Sequence, residues 1–299
     1  MNTVLWQPST ERQQNANITR FIASVNEKYG IKLKNYAGLY PWSINRPVNF
    51  WALFWEFALI KAANKGTVTV SSMDKMPGAK WFPEARLNYA QNLLGNGDKN
   101  QCAILFKSEN GFKQQLSYAE LFVSVSRLAQ ALRNDGVRSG DRVAAVLPNL
   151  PETIIAMLAT SSIGAVWSSC SPDFGVAGII DRFSQINPKV LFVCDGYYFN
   201  GKQFLRSDQI KPLLKAIPSI QKVVMIPFLQ KDAALTENKL MLWQDYIADY
   251  SANKPIAFTQ TAFNDPLFIL FSSGTTGPPK CIIHGVGGTL LQHMKEHLL

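Results

Sequence analysis

The sequence predicts an α/β fold in which parallel sheets are covered by helices. Three observations lead there. Short apolar runs, "DRVAAVLP", "AVWSSC", "KVLFVC", "KVVMI" and "PLFILF", recur along the second part of the chain. They are apolar at nearly every position rather than at every second one, as strands buried on both faces require. Helix-period segments separate them, and strand–helix alternation argues for a parallel sheet with helices on both faces.

The elements follow in order. In "YAGLYPWSINRPVNFWALFWEFALI" the opening Pro and Gly read as loop, and a helix is expected over residues 47–61. Phe50, Phe54 and Phe57 keep helical spacing there, as do Trp51 and Trp55. With almost no basic residues on its polar side, this aromatic helix reads as packed on the main domain rather than laid on a membrane. "WFPEARLNYAQNLL" reads as a loop entering a short helix. "CAILF" is a short apolar run, after which Ser117 and Glu120 form an S-x-x-E capping box. The helix behind it carries Leu121, Phe122, Val125, Leu128, Ala129 and Leu132 as one stripe and closes at Gly136. "PETIIAMLATSSIG" reads as a helix closed by Gly164, and "GVAGIIDRFSQI" as another. "SDQIKPLLKAI" is expected to be kinked or broken at Pro212. "LQKDAALTENKL" is the most loop-like polar stretch, and no internal repeat is present.

Composition narrows the function classes. With 299 residues, 47% apolar and 17% charged, the chain suits one large or two modest globular domains. The net charge of +9 comes from scattered Lys and Arg with no run of four and no Arg-rich stripe. That pattern reads as a solvated basic surface, not a nucleic-acid face. Cys102, Cys170, Cys194 and Cys281 make no CxxC pair and no metal-ligand spacing with the three histidines. Cys102, Cys194 and Cys281 lie in apolar runs and read as small hydrophobes. The first twenty residues show no signal pattern, and no apolar run approaches the ~18 residues of a membrane span. A cytoplasmic protein is the expectation.

One loop carries the chemistry. The stretch "FSSGTTGPPKCIIHG", residues 271–285, packs two serines, two threonines, three glycines and a lysine after an apolar strand, and "CIIHG" reads as a second strand. Ligands of open parallel sheets bind where such strands end. Gly274 and Gly277 let backbone N–H groups face an anion. Ser272, Ser273, Thr275 and Thr276 add hydroxyl donors, and Lys280 adds a mobile positive charge. The set suits a polyphosphate. It is not a Walker A loop, because Pro279 stands at the second glycine and Cys281 at the Ser/Thr position. The later "GVGG" is no dinucleotide fingerprint, since Leu290 fills its third glycine position.

"SSGTTGPPK" resembles the phosphate-binding signature of the adenylate-forming, AMP-binding enzymes, among them the acyl-CoA synthetases. "WSINRPVNFW" resembles the N-terminal extension of short-chain acyl-CoA synthetases. "RLNYAQNLL", "SPDFG", "DRFSQINPKVLF" and "YYFNGK" resemble the acetoacetyl-CoA synthetase branch more than the acetyl-CoA branch, and "IIHGVGGTLLQHMKEHLL" continues that likeness. The resemblance implies an extension over residues 1–100 and the first part of the AMP-binding large domain over residues 101–299. It implies a ligase that joins a carboxylate, acetoacetate by the branch, to CoA through an acyl-adenylate, using ATP with Mg²⁺. Ser272, Ser273, Gly274, Thr275, Thr276, Gly277 and Lys280 would then hold the ATP phosphates. In "YYFNGK", Tyr198 and Asn200 replace family arginines that meet CoA, so only Lys202 is left as a CoA contact. His284, beside the loop, is a candidate contact for substrate or nucleotide. Trp167, Asp173 and Phe174 read as structural, with a place in the pocket wall as the alternative.

His293 and His297 are spaced i, i+4 on an expected helix, but no third ligand follows, so they read as helix surface and no metal site is assigned. The family's catalytic lysine falls beyond Leu299, so the chain is expected to be an N-terminal piece, inactive alone, with a complementary C-terminal polypeptide as a partner. Two other readings stay open. One is a phosphate-binding, NTPase-like module, which would need its own base and magnesium ligands. The other is a non-catalytic remnant of a split gene.

Overall fold

The fold is that of a computed structural model describing residues 5–95, 98–229, 238–273 and 277–299. Its N-terminal part is helical: α1 (Thr10–Asn15), α2 (Asn17–Tyr29), α3 (Tyr36–Asn45) and α4 (Pro47–Phe57). The expected loop at "YAGLYPWSIN" is therefore a helix. Asn35 caps α3 by accepting the Gly38 N–H at 3.3 Å, Leu39 is buried, and the helix absorbs Pro41 at the cost of one internal bond. Conversely, α4 stops short of the expected residue 61, because Leu59 turns the chain with a positive φ of 51°. Short strands β1 (Ala62–Asn64), β2 (Val70–Ser71), β3 (Lys80–Trp81) and β4 (Arg86–Leu87) lead into α5 (Tyr89–Leu94).

Next come β5 (Cys102–Lys107), β6 (Lys113–Ser117) and α6 (Tyr118–Asn134). The capping box forms: the Glu120 N–H donates to Ser117 Oγ at 3.2 Å and the Ser117 N–H to Glu120 Oε2 at 2.7 Å. The run "CAILF" does not enter the main sheet. It pairs with β6 in a separate hairpin, which leaves Leu105 and Cys102 exposed.

The alternating part contains β7 (Arg142–Val146), α7 (Pro151–Ser162), β8 (Val166–Cys170), α8 (Val176–Ile186) and β9 (Val190–Cys194). After it come β10 (Gly196–Phe199), β11 (Lys202–Leu205), α9 (Ile210–Ala216) and β12 (Lys222–Ile226). The chain continues with β13 (Leu240–Leu242), α10 (Trp243–Ala248), β14 (Thr261–Ala262), β15 (Pro266–Phe271), β16 (Cys281–Gly285) and α11 (Val286–Leu298). Pro212 does not break α9. It sits in the first turn, where its missing N–H would have had no helical partner, and a 3₁₀ turn at Ser207–Gln209 precedes the helix.

Seven strands form one sheet in the order β13-β12-β9-β7-β8-β15-β16, parallel except for β16, which runs antiparallel to β15. Successive residues feed opposite cores. Val143 and Ala145 of β7, with Phe192 of β9, pack on the α6–α7 side. Ala144, Val146 and Leu191 pack on the α8–α9 side. Two covered faces are why these runs are apolar throughout; each fully buried large side chain contributes about 1.5–3 kcal/mol. A third core joins Phe21, Phe54, Trp55 and Phe82 of the N-terminal part to Phe263, Leu267 and Leu290, so the extension packs on β15 and α11. Asn88, 1% exposed, ties these parts together: its Nδ2 donates to the carbonyls of Ser161, Ser162 and Thr259 at 2.9–3.1 Å.

The sheet ends on an exposed edge. On β16, Ile282 and Ile283 are 46% and 61% exposed, and Leu270 of β15 is 45% exposed. Neighbouring residues of a strand face opposite ways, so both faces of this edge present apolar surface beside unpaired backbone groups. The 299-residue chain is therefore expected to self-associate through β16. Its mass by light scattering should rise with concentration, and Ile283→Lys should return it toward that of the single chain. A wild-type chain that stays monomeric at every concentration contradicts this.

Candidate active site

Parallel strands bring their C-terminal ends to one edge, and the site residues gather there. β15 reaches that edge beside β8, paired in register at Phe268 and Trp167. The fully buried Ser168 reinforces the pairing by donating its hydroxyl to the Ile269 carbonyl at 2.7 Å. β15 then passes into the Ser/Thr/Gly loop and returns as β16, with Phe271 opposite Cys281.

Ser272 and Lys280 close the base of this loop. The Ser272 N–H donates to the Lys280 carbonyl, and the Lys280 N–H donates to Ser272 Oγ, both at 3.1 Å. The Ser272 hydroxyl thus accepts one bond while its proton remains available to donate. Ser273, Gly277 and Lys280 are exposed. Gly277 has φ of +152°, a conformation L residues rarely adopt, and a Cβ there would meet nothing within 4 Å. The need for glycine is conformational rather than steric. Gly274, Thr275 and Thr276 lie outside the described residues.

A second support comes from α8. Gln185 Nε2 donates to the Pro279 carbonyl at 2.8 Å, and Cys281 Sγ approaches Gln185 Oε1 at 3.6 Å. Gln185 is thus a positioning residue that sequence reasoning missed; it lies inside "DRFSQINPKVLF", but nothing local marks a contact 94 residues away. Cys281 is exposed, not packed as a small hydrophobe, because it begins the uncovered edge strand.

One strand over from the loop, a cleft of about 650 Å³ opens where β7 and β8 end. Asn149, Ser169 and Asp173 line it from the strand ends, and Tyr197, Phe199 and Phe204 line it from the β10–β11 hairpin. The hairpin turns through Asn200 and Gly201, with φ of 50° and 72°, the Asn-Gly signature of a tight two-residue turn. That signal was legible in "YYFNGKQF" but was not read as a hairpin. The root of the hairpin is fixed by Asp195, fully buried at the end of β9, whose carboxylate accepts the N–H groups of Phe228 and Leu229 at 2.7–3.1 Å. Lys202 is exposed and paired with Phe199, beside the cleft rather than in its wall. Trp167 is buried in the core, while Phe174 lies 4.3 Å beneath the Arg182 guanidinium.

His284 is exposed on β16, in register with Phe268. His293 does more than decorate a helix surface: its Nδ1 lies 2.9 Å from the hydroxyl of buried Tyr89. Burial pushes the Tyr89 phenol up to about 12, and burial together with the neighbouring His297 and His284 lowers the His293 pKa. Among the described residues, no group of three or more His, Cys, Asp or Glu side chains is placed to hold a metal, and no helix is long and apolar enough to cross a membrane.

Residues 96–297 match the AMP-binding enzyme family, and residues 36–93 match the acetyl-coenzyme A synthetase N-terminus family. The chain belongs to the AMP-binding enzymes. It is 44% identical over 298 residues to the acetoacetyl-coenzyme A synthetase of Rhizobium meliloti, covering 98% of this chain and 45% of that protein. It is 40% identical to the acetoacetyl-CoA synthetase of Macaca fascicularis, again over 45% of the relative's length. The solved structure of acetoacetyl-CoA synthetase from Streptomyces lividans superposes with a TM-score of 0.92 at 38% identity, over 99% of this chain and 45% of that one. The chain therefore spans a little under half the length of these AMP-binding relatives.

Within this family member, Ser168 holds the strand that presents the loop. Ser168→Ala leaves a buried carbonyl without that donor and is expected to destabilise the chain by about 1–3 kcal/mol. The denaturant midpoint measures it; an unchanged midpoint would show that the bond does not fasten β15.

Proposed function

We propose that the chain is the phosphate-binding part of an acid–thiol ligase that makes acetoacetyl-CoA from acetoacetate, ATP and CoA. The observation that carries this reading is a Ser/Thr/Gly loop, closed at its base by Ser272 and Lys280, at the strand-end edge of a parallel sheet beside an open cleft. In the first half-reaction the carboxylate attacks the α-phosphorus of ATP and pyrophosphate leaves. In the second, the CoA thiolate attacks the acyl carbon and AMP leaves.

The chain's own contribution is charge stabilisation. Negative charge moves onto the departing β- and γ-phosphates as the bond to the α-phosphorus breaks. Fixed N–H and hydroxyl donors stabilise that charge without reorganising at the moment of reaction. Ser273, Gly277 and Lys280 are assigned as such donors, and Gly274, Thr275 and Thr276 are assigned with them on residue type. Ser272 contributes its hydroxyl proton while its oxygen fastens the loop. Mg²⁺, arriving with ATP, would be held chiefly through the phosphates, with loop hydroxyls such as those of Ser272 and Ser273 within the chain's reach of it. It neutralises phosphate charge when bound. The cleft between the strand ends and the hairpin suits the nucleotide end of CoA, with Lys202 at its rim and aromatic faces on one wall. His284, four residues past Lys280 on β16 and in register with Phe268, is kept only as a candidate contact for substrate or nucleotide.

The test separates the two half-reactions, in a protein completed with the remaining length of the Rhizobium meliloti relative. Lys280→Ala and Gly277→Val should slow ATP–pyrophosphate exchange by about 10²–10³, the usual loss of one preorganised donor. Thioester formation from supplied acyl-adenylate should be largely retained, because pyrophosphate has already left. Equal losses in both would contradict the assignment.

A further inference from the structure

Two walls of the cleft come from different parts of the chain. One is the turn after β8, including Pro172 and Asp173; the other is the β10–β11 hairpin, including Tyr197 and Phe204. Among the described residues β10 pairs with β11 alone, so the hairpin stands outside the seven-stranded sheet that carries the other wall. A side-chain contact that reaches from one wall to the other would set the width between them.

Arg206, the residue after β11, makes such a contact. Its Nε donates to the Pro172 carbonyl at 2.9 Å, and its Nη2 donates to the Tyr197 hydroxyl at 3.2 Å. Its guanidinium also sits 5.3 Å from the centre of the Tyr197 ring, which stacks on Phe204 at 5.3 Å and 18°. Its own N–H donates to the Asp195 carbonyl at 2.7 Å, so its backbone is anchored at the hairpin root. Arg206 itself does not line the cleft; it stands behind Pro172 and Tyr197, which do. We propose that Arg206 is a positioning residue that clamps the two walls of this cleft at the spacing its ligand meets. The inference rests on reading the cleft as the seat of CoA.

The chemistry asks for arginine. A planar guanidinium presents separate donors in a fixed fork, so one group reaches a carbonyl on one wall and a phenol oxygen on the other while stacking on the ring. A lysine ammonium offers one compact charge on a flexible stem and cannot hold both directions at once. The far end of the hairpin has an independent tether, because Glu109 Oε2 accepts the Gly201 N–H at 3.0 Å. Clamp and tether can therefore be loosened separately.

The experiment uses the 299-residue chain with two readouts. Amide hydrogen exchange is followed in residues 171–174 and 196–205, and CoA and dephospho-CoA are titrated calorimetrically as probes. In Arg206→Ala, exchange should rise in both walls. Affinity for the two probes should fall equally, by about tenfold or more, as expected for losing a charge-assisted bond. Arg206→Lys should restore little of either. Glu109→Ala should speed exchange at the hairpin tip alone. A loss confined to CoA, sparing dephospho-CoA, would make Arg206 a direct phosphate contact and overturn the proposal. Unchanged exchange in both walls of a folded Arg206→Ala protein would overturn it as well. If the wild-type chain binds neither probe while Arg206→Ala loosens both walls, the clamp stands and the CoA assignment of the cleft falls.

Discussion

The hydroxyl of Ser168 on the carbonyl of Ile269 is the interaction from which the rest of the site takes its place. β15 is the last parallel strand of the sheet, and its ladder with β8 is short, with one registered pair at Phe268 and Trp167. A buried side-chain bond at 2.7 Å supplements that ladder and fastens β15 beside β8. The loop base, the antiparallel return along β16 and the entry of α11 all inherit that setting. In a low-dielectric interior, a carbonyl that loses such a donor is costly.

The same strand joins the two halves of the molecule. Leu267 and Phe268 of β15 meet the aromatic N-terminal core, while Ile269 and Phe271 meet the core on the α8–α9 side. The N-terminal extension is therefore part of the scaffold under the loop. Asn88 makes the corresponding link at the other end, between α5, the end of α7 and the segment before β14. Beneath the candidate phosphate loop, β15 rests on buried contacts between segments distant in sequence.

That distribution decides what the sequence could disclose. The strands β7, β8, β9, β12 and β15 were legible because they are apolar at most positions, as the covered faces of β7, β9 and β12 require. The helix α6 was legible because Ser117 and Glu120 are three residues apart and cap it locally. Helix α3 was not, since Pro41 argues against a helix and the compensating cap of Asn35 carries little weight beside it. The edge exposure of Cys102 and Cys281 was also hidden, because an apolar run looks the same in a central strand and in an uncovered one. At the site, the loop was legible from its residue types, whereas Gln185, Arg206 and Asp195 act through partners 94, 34 and 33 residues away. Such residues become visible only when the topology brings their partners to them.

On the function proposed above, residues 272–280 form an anion seat for a polyphosphate. Equilibrium binding of pyrophosphate to the 299-residue chain, by titration calorimetry at two salt concentrations, tests it most directly. The expected result is saturable binding that weakens with salt and falls by about tenfold or more in Lys280→Ala, as the loss of a charged partner implies. Pyrophosphate binding that is absent in the wild type, or identical in Lys280→Ala and Gly277→Val, would contradict it.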